Sequence, residues 1–279
     1  MPHHVHISLY IRKPLERLAV ALESAIDPPI PVCQNRLQFS MDRQVYLTKA
    51  EKSERFYDYW ICGGAIVSKL HIITSAACVQ DVEYMYAVSG YKKYVPNDLM
   101  DNDSCCKHTK KKVVYTCVPK AYEFDYAKIE KWAYIDIAVV KVESEFNFDG
   151  EKFKYCTYKP KAIEINFDPK YQEPNRDSIV FGWGHAEKWR KNDHGGSLVT
   201  WVGTREVLIG VASVFRVTSD SNCAGPYLYT STQCNGIFLD CMINANEVKS
   251  RKAICDKPPI EKGFDTIERH ISWKNHPDG

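Results

Sequence analysis

From about residue 41 onward the apolar side chains fall into short runs, each closed off by turn residues. Gln44–Leu47, Ala65–Val67, His71–Thr74, Tyr84–Val88, Val113–Val118, Ile135–Val142, Ile179–Phe181, Leu198–Val202, Val207–Val214 and Tyr227–Thr230 all have the length and the β-branched or aromatic content of strands. Many short strands joined irregularly predict an all-β barrel or sandwich. Two stretches read differently. Pro14 to Glu23 predicts a short amphipathic helix with Pro near its start, stopped by Asp27-Pro28-Pro29-Ile30-Pro31. Near the end, Phe264, Ile267, Ile271 and Trp273 recur at spacings that predict a C-terminal helix with one apolar face. The proline cluster divides the chain into an ill-defined N-terminal extension, residues 1–40, and a main domain, residues 41–279.

Length and composition narrow the class without fixing it. The 279 residues suit one large β domain, and 44% apolar with 26% charged residues is ordinary for a globular fold. Lys plus Arg is 37 against 35 for Asp plus Glu, a net charge of +2 that offers no broad footprint for nucleic acid. No apolar run approaches the roughly 20 residues of a membrane-spanning helix, so neither nucleic acid nor membrane is expected as a partner.

Cysteine changes the picture more. Eleven cysteines point to an oxidising compartment and a disulfide framework, with one thiol left over or paired to another chain. An extracellular location is therefore expected, although no signal peptide is evident. The best apolar run near the start, Leu18–Leu22, is five residues, short of the roughly 7–15 of a secretory core. Two groups have metal-ligand residue types: His3, His4 and His6, and Cys105, Cys106 and His108. Terminal histidines usually bind nothing specific, and disulfide pairing accounts for the two cysteines more simply, so no metal and no cofactor are expected. The basic run Lys107 to Lys112 is expected to be a solvated loop.

Several motifs then agree in type and order. Cys62-Gly63-Gly64-Ala65-Ile66-Val67 is followed by Ile72-Ile73-Thr74-Ser75-Ala76-Ala77-Cys78. Next come Tyr134-Ile135-Asp136-Ile137-Ala138-Val139-Val140, Phe181-Gly182-Trp183-Gly184, Asp193-His194-Gly195-Gly196-Ser197-Leu198-Val199, and Cys223 to Thr230. This series resembles the trypsin/chymotrypsin (S1) family of serine proteases. There the corresponding patterns are C-G-G-S-L-I, V-L-T-A-A-H-C, N-D-I-A-L-L-K-L, S-G-W-G and D-S-G-G-P-L-V. The resemblance covers about residues 41–235 and implies a chymotrypsin-like double β-barrel. It also implies a disulfide between Cys62 and Cys78, whose loop closure would contribute about 3 kcal/mol in the chain-entropy picture.

The same comparison removes the chemistry. Proteolysis of this kind needs a serine hydroxyl to attack, a histidine to move its proton, and a buried aspartate to hold the histidine. The position matching the histidine is Ala77, whose methyl cannot act as a base. The position matching the serine is His194. Asp136 alone remains. The oxyanion-equivalent positions are Asn192 and His194, and Asn192 replaces a glycine. His194 could pair with Asp136, or stand as a partly exposed polar side chain where the nucleophile turn normally meets solvent. His71, Ser75 and Ser197 lie out of register for a substitute role.

Other family features are altered. Arg190 stands where a cysteine is expected, which leaves Cys223 orphaned or re-paired with Cys234 or Cys241. Arg36-Leu37-Gln38-Phe39 lacks the glycines of an activation terminus that would pair with Asp193. Gly184 and Asp193 are nine positions apart where the family has a few dozen residues, so an incomplete second barrel with open edges is expected. These departures imply a non-catalytic homologue, a pseudoprotease that binds a protease, an inhibitor or another cascade component. The alternatives are a trypsin-like serine endopeptidase with a rearranged site, and a non-functional truncated product.

Overall fold

The computed structural model describes residues 20–22, 41–50, 61–91, 95, 97–123, 129–148, 151–173, 176–182, 194–217, 223–244 and 265–279. In chain order the strands are β1 (Val20–Leu22), β2 (Gln44–Lys49), β3 (Ile61–Ile66), β4 (His71–Thr74), β5 (Met85–Ser89), β6 (Lys110–Pro119), β7 (Ala138–Val142), β8 (Glu164–Ile165), β9 (Ile179–Val180), β10 (Ser197–Val202), β11 (Arg205–Val217), β12 (Cys223–Ser231) and β13 (Thr266–His270). Among the described residues four short helices accompany them: α1 (Asn97–Met100), α2 (Cys106–Thr109), α3 (Ile129–Trp132) and α4 (Gly236–Asn244). Each of the ten runs predicted above overlaps a strand.

The first sheet closes. Antiparallel pairing runs β6-β5-β2-β3-β4-β7, and β7 returns to β6 through Val113↔Val142 and Thr116↔Val140. Closure removes the free edges of these six strands. β6 can serve two neighbours on one side because it is long. Its first residues, Lys110–Lys112, pair with β5, and Tyr115–Pro119 pair with β13. Both faces of these strands are covered: Val45, Leu47 and Val140 on one and Ile73 and Val139 on the other are fully or nearly fully buried, each contributing about 1.5–3 kcal/mol of apolar burial.

The second sheet has the order β1-β12-β11-β10-β9, with β8 parallel to β11. Among the described residues β1 and β9 do not pair with each other, so this sheet stays open, as the short Gly184–Asp193 interval leads one to expect. β11 alternates faces. Leu208 and Val211 join the main core with the first barrel, while Val207, Ile209 and Ala212 form a smaller cluster with Leu198 and Tyr229. Cross-links hold the two units together: Ser197 Oγ donates to Gln44 Oε1 (2.6 Å), Ile163 N–H to the Ile66 carbonyl (2.8 Å), and Arg43 pairs with Glu206.

Three expectations require correction. Val20–Leu22 is a strand on β12, not part of a helix, because its backbone pairs with Tyr227–Tyr229 at a sheet edge. Where the C-terminal helix was expected, Thr266–His270 form β13 and a single 3₁₀ turn, Trp273–Asn275, follows; Phe264 lies outside the described residues. Ile271 and Trp273 are buried together at a spacing of two, the extended-chain period, while Ile267 faces out. The helix near the end of the family-like region is α4, which buries Phe238, Leu239, Cys241 and Ile243. The basic run is not a loop. Lys107 and His108 lie in α2, and Lys110–Lys112 open β6.

Candidate active site and family membership

Four segments meet between the two sheets. A single 3₁₀ turn, Ala76–Cys78, follows β4 and is tied to β3 by a disulfide between Cys62 and Cys78, with Cα atoms 6.1 Å apart. A second 3₁₀ turn, Ala133–Ile135, leads into Asp136 just before β7. β11 supplies Ser213, and the turn before β10 supplies His194.

Asp136 is the centre. It is fully buried, and its two oxygens are held separately: Oδ1 accepts the Ala77 backbone N–H at 2.9 Å and Oδ2 accepts Ser213 Oγ–H at 2.6 Å. Burial pushes its pKa up to about 6, partly offset by the hydrogen bonds from Ser213, the Ala77 and Ala76 amides, and Tyr122. Ser213 was not anticipated. A lone serine in the run Val207–Val214 reads as an ordinary polar position of a strand, and its partner lies 77 residues away.

The turn at His194 is built on glycine. Gly195 has φ +76°, and a Cβ there would lie 2.1 Å from Thr74 Oγ1 and 2.4 Å from the Gly63 carbonyl oxygen. Gly63 in turn passes so close to Gly196 that a Cβ on it would lie 2.8 Å from the Gly196 Cα. Three backbones can therefore touch: Gly63 N–H donates to the His194 carbonyl (2.7 Å), and Gly195 N–H to the Ala212 carbonyl (2.8 Å). The His194 imidazole is partly buried, and burial lowers its pKa to about 4. The Asp136 oxygens are held by the Ala77 amide and by Ser213 Oγ.

Other candidates fall outside the site. His71 Nδ1 lies 2.9 Å from Ser68 Oγ at the far end of β4, and burial together with Lys141 holds its pKa below the usual range. Ser75 Oγ donates to Cys78 Sγ (3.0 Å), and Ser197 Oγ is engaged with Gln44, both fully buried. Asn192, Asp193, Gly184, Arg190 and Arg36 to Phe39 lie outside the described residues, as do His3, His4, His6 and Cys33.

The cysteines depart from the sequence reading in two places. Cys105 pairs with Cys156, which takes it out of any metal site. Cys106 beside it is a buried thiol, its pKa pushed up to about 12 chiefly by burial, so the two do not both enter disulfides. Cys234 is an exposed thiol, which removes it as a partner for Cys223, and Cys241 is disulfide-bonded.

A closed six-stranded barrel beside a second β sheet, with a buried aspartate and a glycine turn set between them, is the arrangement that the motifs imply. Comparison with known families matches residues 38–236 to the family described as Trypsin. The chain belongs to the trypsin family. It is thus a serine-protease-like protein, and both that family and disulfide bonds are typical of secreted proteins. Within this trypsin-family domain the residues brought together are Ala77, Asp136, Ser213 and the His194 turn. The arrangement binds a carboxylate firmly, and its serine hydroxyls at positions 75, 197 and 213 are committed to buried hydrogen bonds.

Proposed function

We propose that this chain is a non-catalytic member of the trypsin family that acts by binding a protein partner, such as a protease, an inhibitor or another component of a proteolytic cascade. The observation that supports this reading most strongly is at Asp136. The residue presented to its carboxylate from the β4 turn is Ala77, which offers a backbone N–H and no side-chain base. An aspartate without an imidazole to orient cannot activate a hydroxyl, and loss of the base or the nucleophile leaves only weak residual catalysis. The reading of a rearranged endopeptidase would need an accessible serine with a base, and the three serines near the site are buried. The regulatory role rests on family analogy, since folds host functions through their sites.

The test is reaction of the purified natural protein with a fluorophosphonate probe, alongside hydrolysis of a broad peptide library. No labelled serine and no cleavage are expected. Stoichiometric labelling of one serine, with matching cleavage, would overturn the proposal. Titration of the protein onto an active trypsin-family protease and its inhibitor would then report binding directly.

A further inference from the structure

The segment Thr266–Gly279 lies beyond the family match and rests on the first barrel, extended over Thr266–His270 and closed by a 3₁₀ turn at Trp273–Asn275. β13 adds to β6 from Thr266↔Pro119 to His270↔Tyr115, and Ile271 N–H continues the pairing onto the Val114 carbonyl (2.9 Å). Trp273 is then inserted and only 7% exposed. Its indole N–H donates to the Val113 carbonyl (2.8 Å), and its ring meets Tyr84 and Tyr86, each with centroids 5.2 Å away. The Lys112 ammonium lies 5.2 Å over the same ring and donates to the Asp278 carbonyl, while the Tyr86 hydroxyl donates to the Asp278 carboxylate.

The strand between these anchors is thinly covered. Ile267 is 49% exposed, Glu268 and His270 are exposed, Arg269 is half-buried and donates to the Gln80 and Val82 carbonyls, and β13 pairs on one edge only among the described residues. Backbone addition to a strand edge, one aromatic anchor in a pocket, and a carboxylate met by a phenol beside a backbone carbonyl met by a cation are terms by which extended peptides are recognised. They are supplied here by β6, by Tyr84 and Tyr86, and by Lys112.

We propose that this face of the barrel is a peptide-docking groove whose resident occupant is the chain's own Thr266–Gly279. A partner enters it as an extended segment that carries an aromatic residue followed, a few positions on, by a carboxylate. The strap and the partner therefore compete for one surface. The inference does not depend on whether the site at Asp136 is catalytic.

The test uses the full chain and a fluorescent peptide copying residues 264–279. Trp273→Ala in the full chain withdraws the anchor and opens the groove. The variant is expected to bind the peptide saturably and at least tenfold more tightly than the unmodified chain. A peptide with the same Trp→Ala change is expected to lose that binding. A cooperatively melting variant that does not bind, or that binds a scrambled peptide equally well, would overturn the proposal. Should the variant fail to fold, amide hydrogen exchange of the unmodified chain decides. Opening of Thr266–His270 at least tenfold faster than Val45–Leu47 supports a detachable strap, and equal protection of the two overturns it.

Discussion

The backbone N–H of Ala77 donates to Oδ1 of Asp136 at 2.9 Å, while Ser213 Oγ–H donates to Oδ2 at 2.6 Å. The aspartate is fully buried. It joins the turn after β4 to β11 through Ser213, and so links the closed barrel to the open sheet. Removing one partner of a buried, hydrogen-bonded group leaves the other unsatisfied, at a cost of about 1–3 kcal/mol.

Asp136 and His194 should oppose each other in the pH dependence of stability. The pKa of Asp136 is raised to about 6, so as pH climbs from about 4 to 6 the unfolded chain releases a proton that the folded chain holds, and stability falls. His194 is lowered to about 4, so from there to its usual value near 6.5 the unfolded chain holds the extra proton, and stability rises. Each effect is about 3 kcal/mol and the two nearly cancel. Asp136→Asn should leave a profile that rises between pH 4 and 6, and His194→Gln one that falls over the same interval. Urea unfolding of both variants across this range checks the signs. Flat profiles in both would refute the assignment.

The glycines at positive φ should differ sharply in tolerance. Gly195→Ala places a methyl 2.1 Å from Thr74 Oγ1 as well as straining φ, and should destabilise the protein by roughly 3 kcal/mol or more. Gly203, in the β10–β11 turn, has φ +64° and open space around it, so Gly203→Ala should cost only about 1 kcal/mol. Thermal melts of the two variants make the comparison. Equal costs would mean that the His194 turn is looser than its packing implies.

Ser213 offers a test of the network that leaves both glycine turns alone. Ser213→Ala removes the donor to Oδ2 of a buried carboxylate, and should cost about 2 kcal/mol at neutral pH. Because that hydrogen bond favours the charged form, its loss should raise the Asp136 pKa further. Titration of the Asp136 carboxyl resonance in the variant reads the direction. A downward movement would show that the hydroxyl is not the donor.

The strands were legible because each β-branched run carries its own evidence, bounded by turns, and Asp136 was legible because its motif is local. What escaped reading was relational. Ser213 acquires its role only when β11 is laid beside the Asp136 turn. The terminal spacing of Phe264, Ile267, Ile271 and Trp273 fits a helix face as well as an extended chain. The choice between them was made by the carbonyls of Val113 and Val114, 160 and 157 residues upstream of their donors Trp273 and Ile271. Val20–Leu22 likewise became a strand by pairing with β12, which the local helical pattern could not foretell.

Two of the disulfides should differ in weight according to the loops they close. Cys62–Cys78 spans 16 positions and Cys105–Cys156 spans 51. In the chain-entropy account these correspond to about 3 and about 4 kcal/mol. Paired replacement by alanine should therefore lower stability more at Cys105–Cys156, by about 1 kcal/mol. The local consequences should run the other way. The Cys62–Cys78 bridge holds the turn whose Ala77 amide meets Asp136, and its loss should speed hydrogen exchange of the Ala77 amide well beyond the global change. Loss of Cys105–Cys156 should leave that amide's relative protection unchanged. Exchange at Ala77 that follows global stability alone in both variants would mean that β4 and Asp136 hold the turn without the bridge.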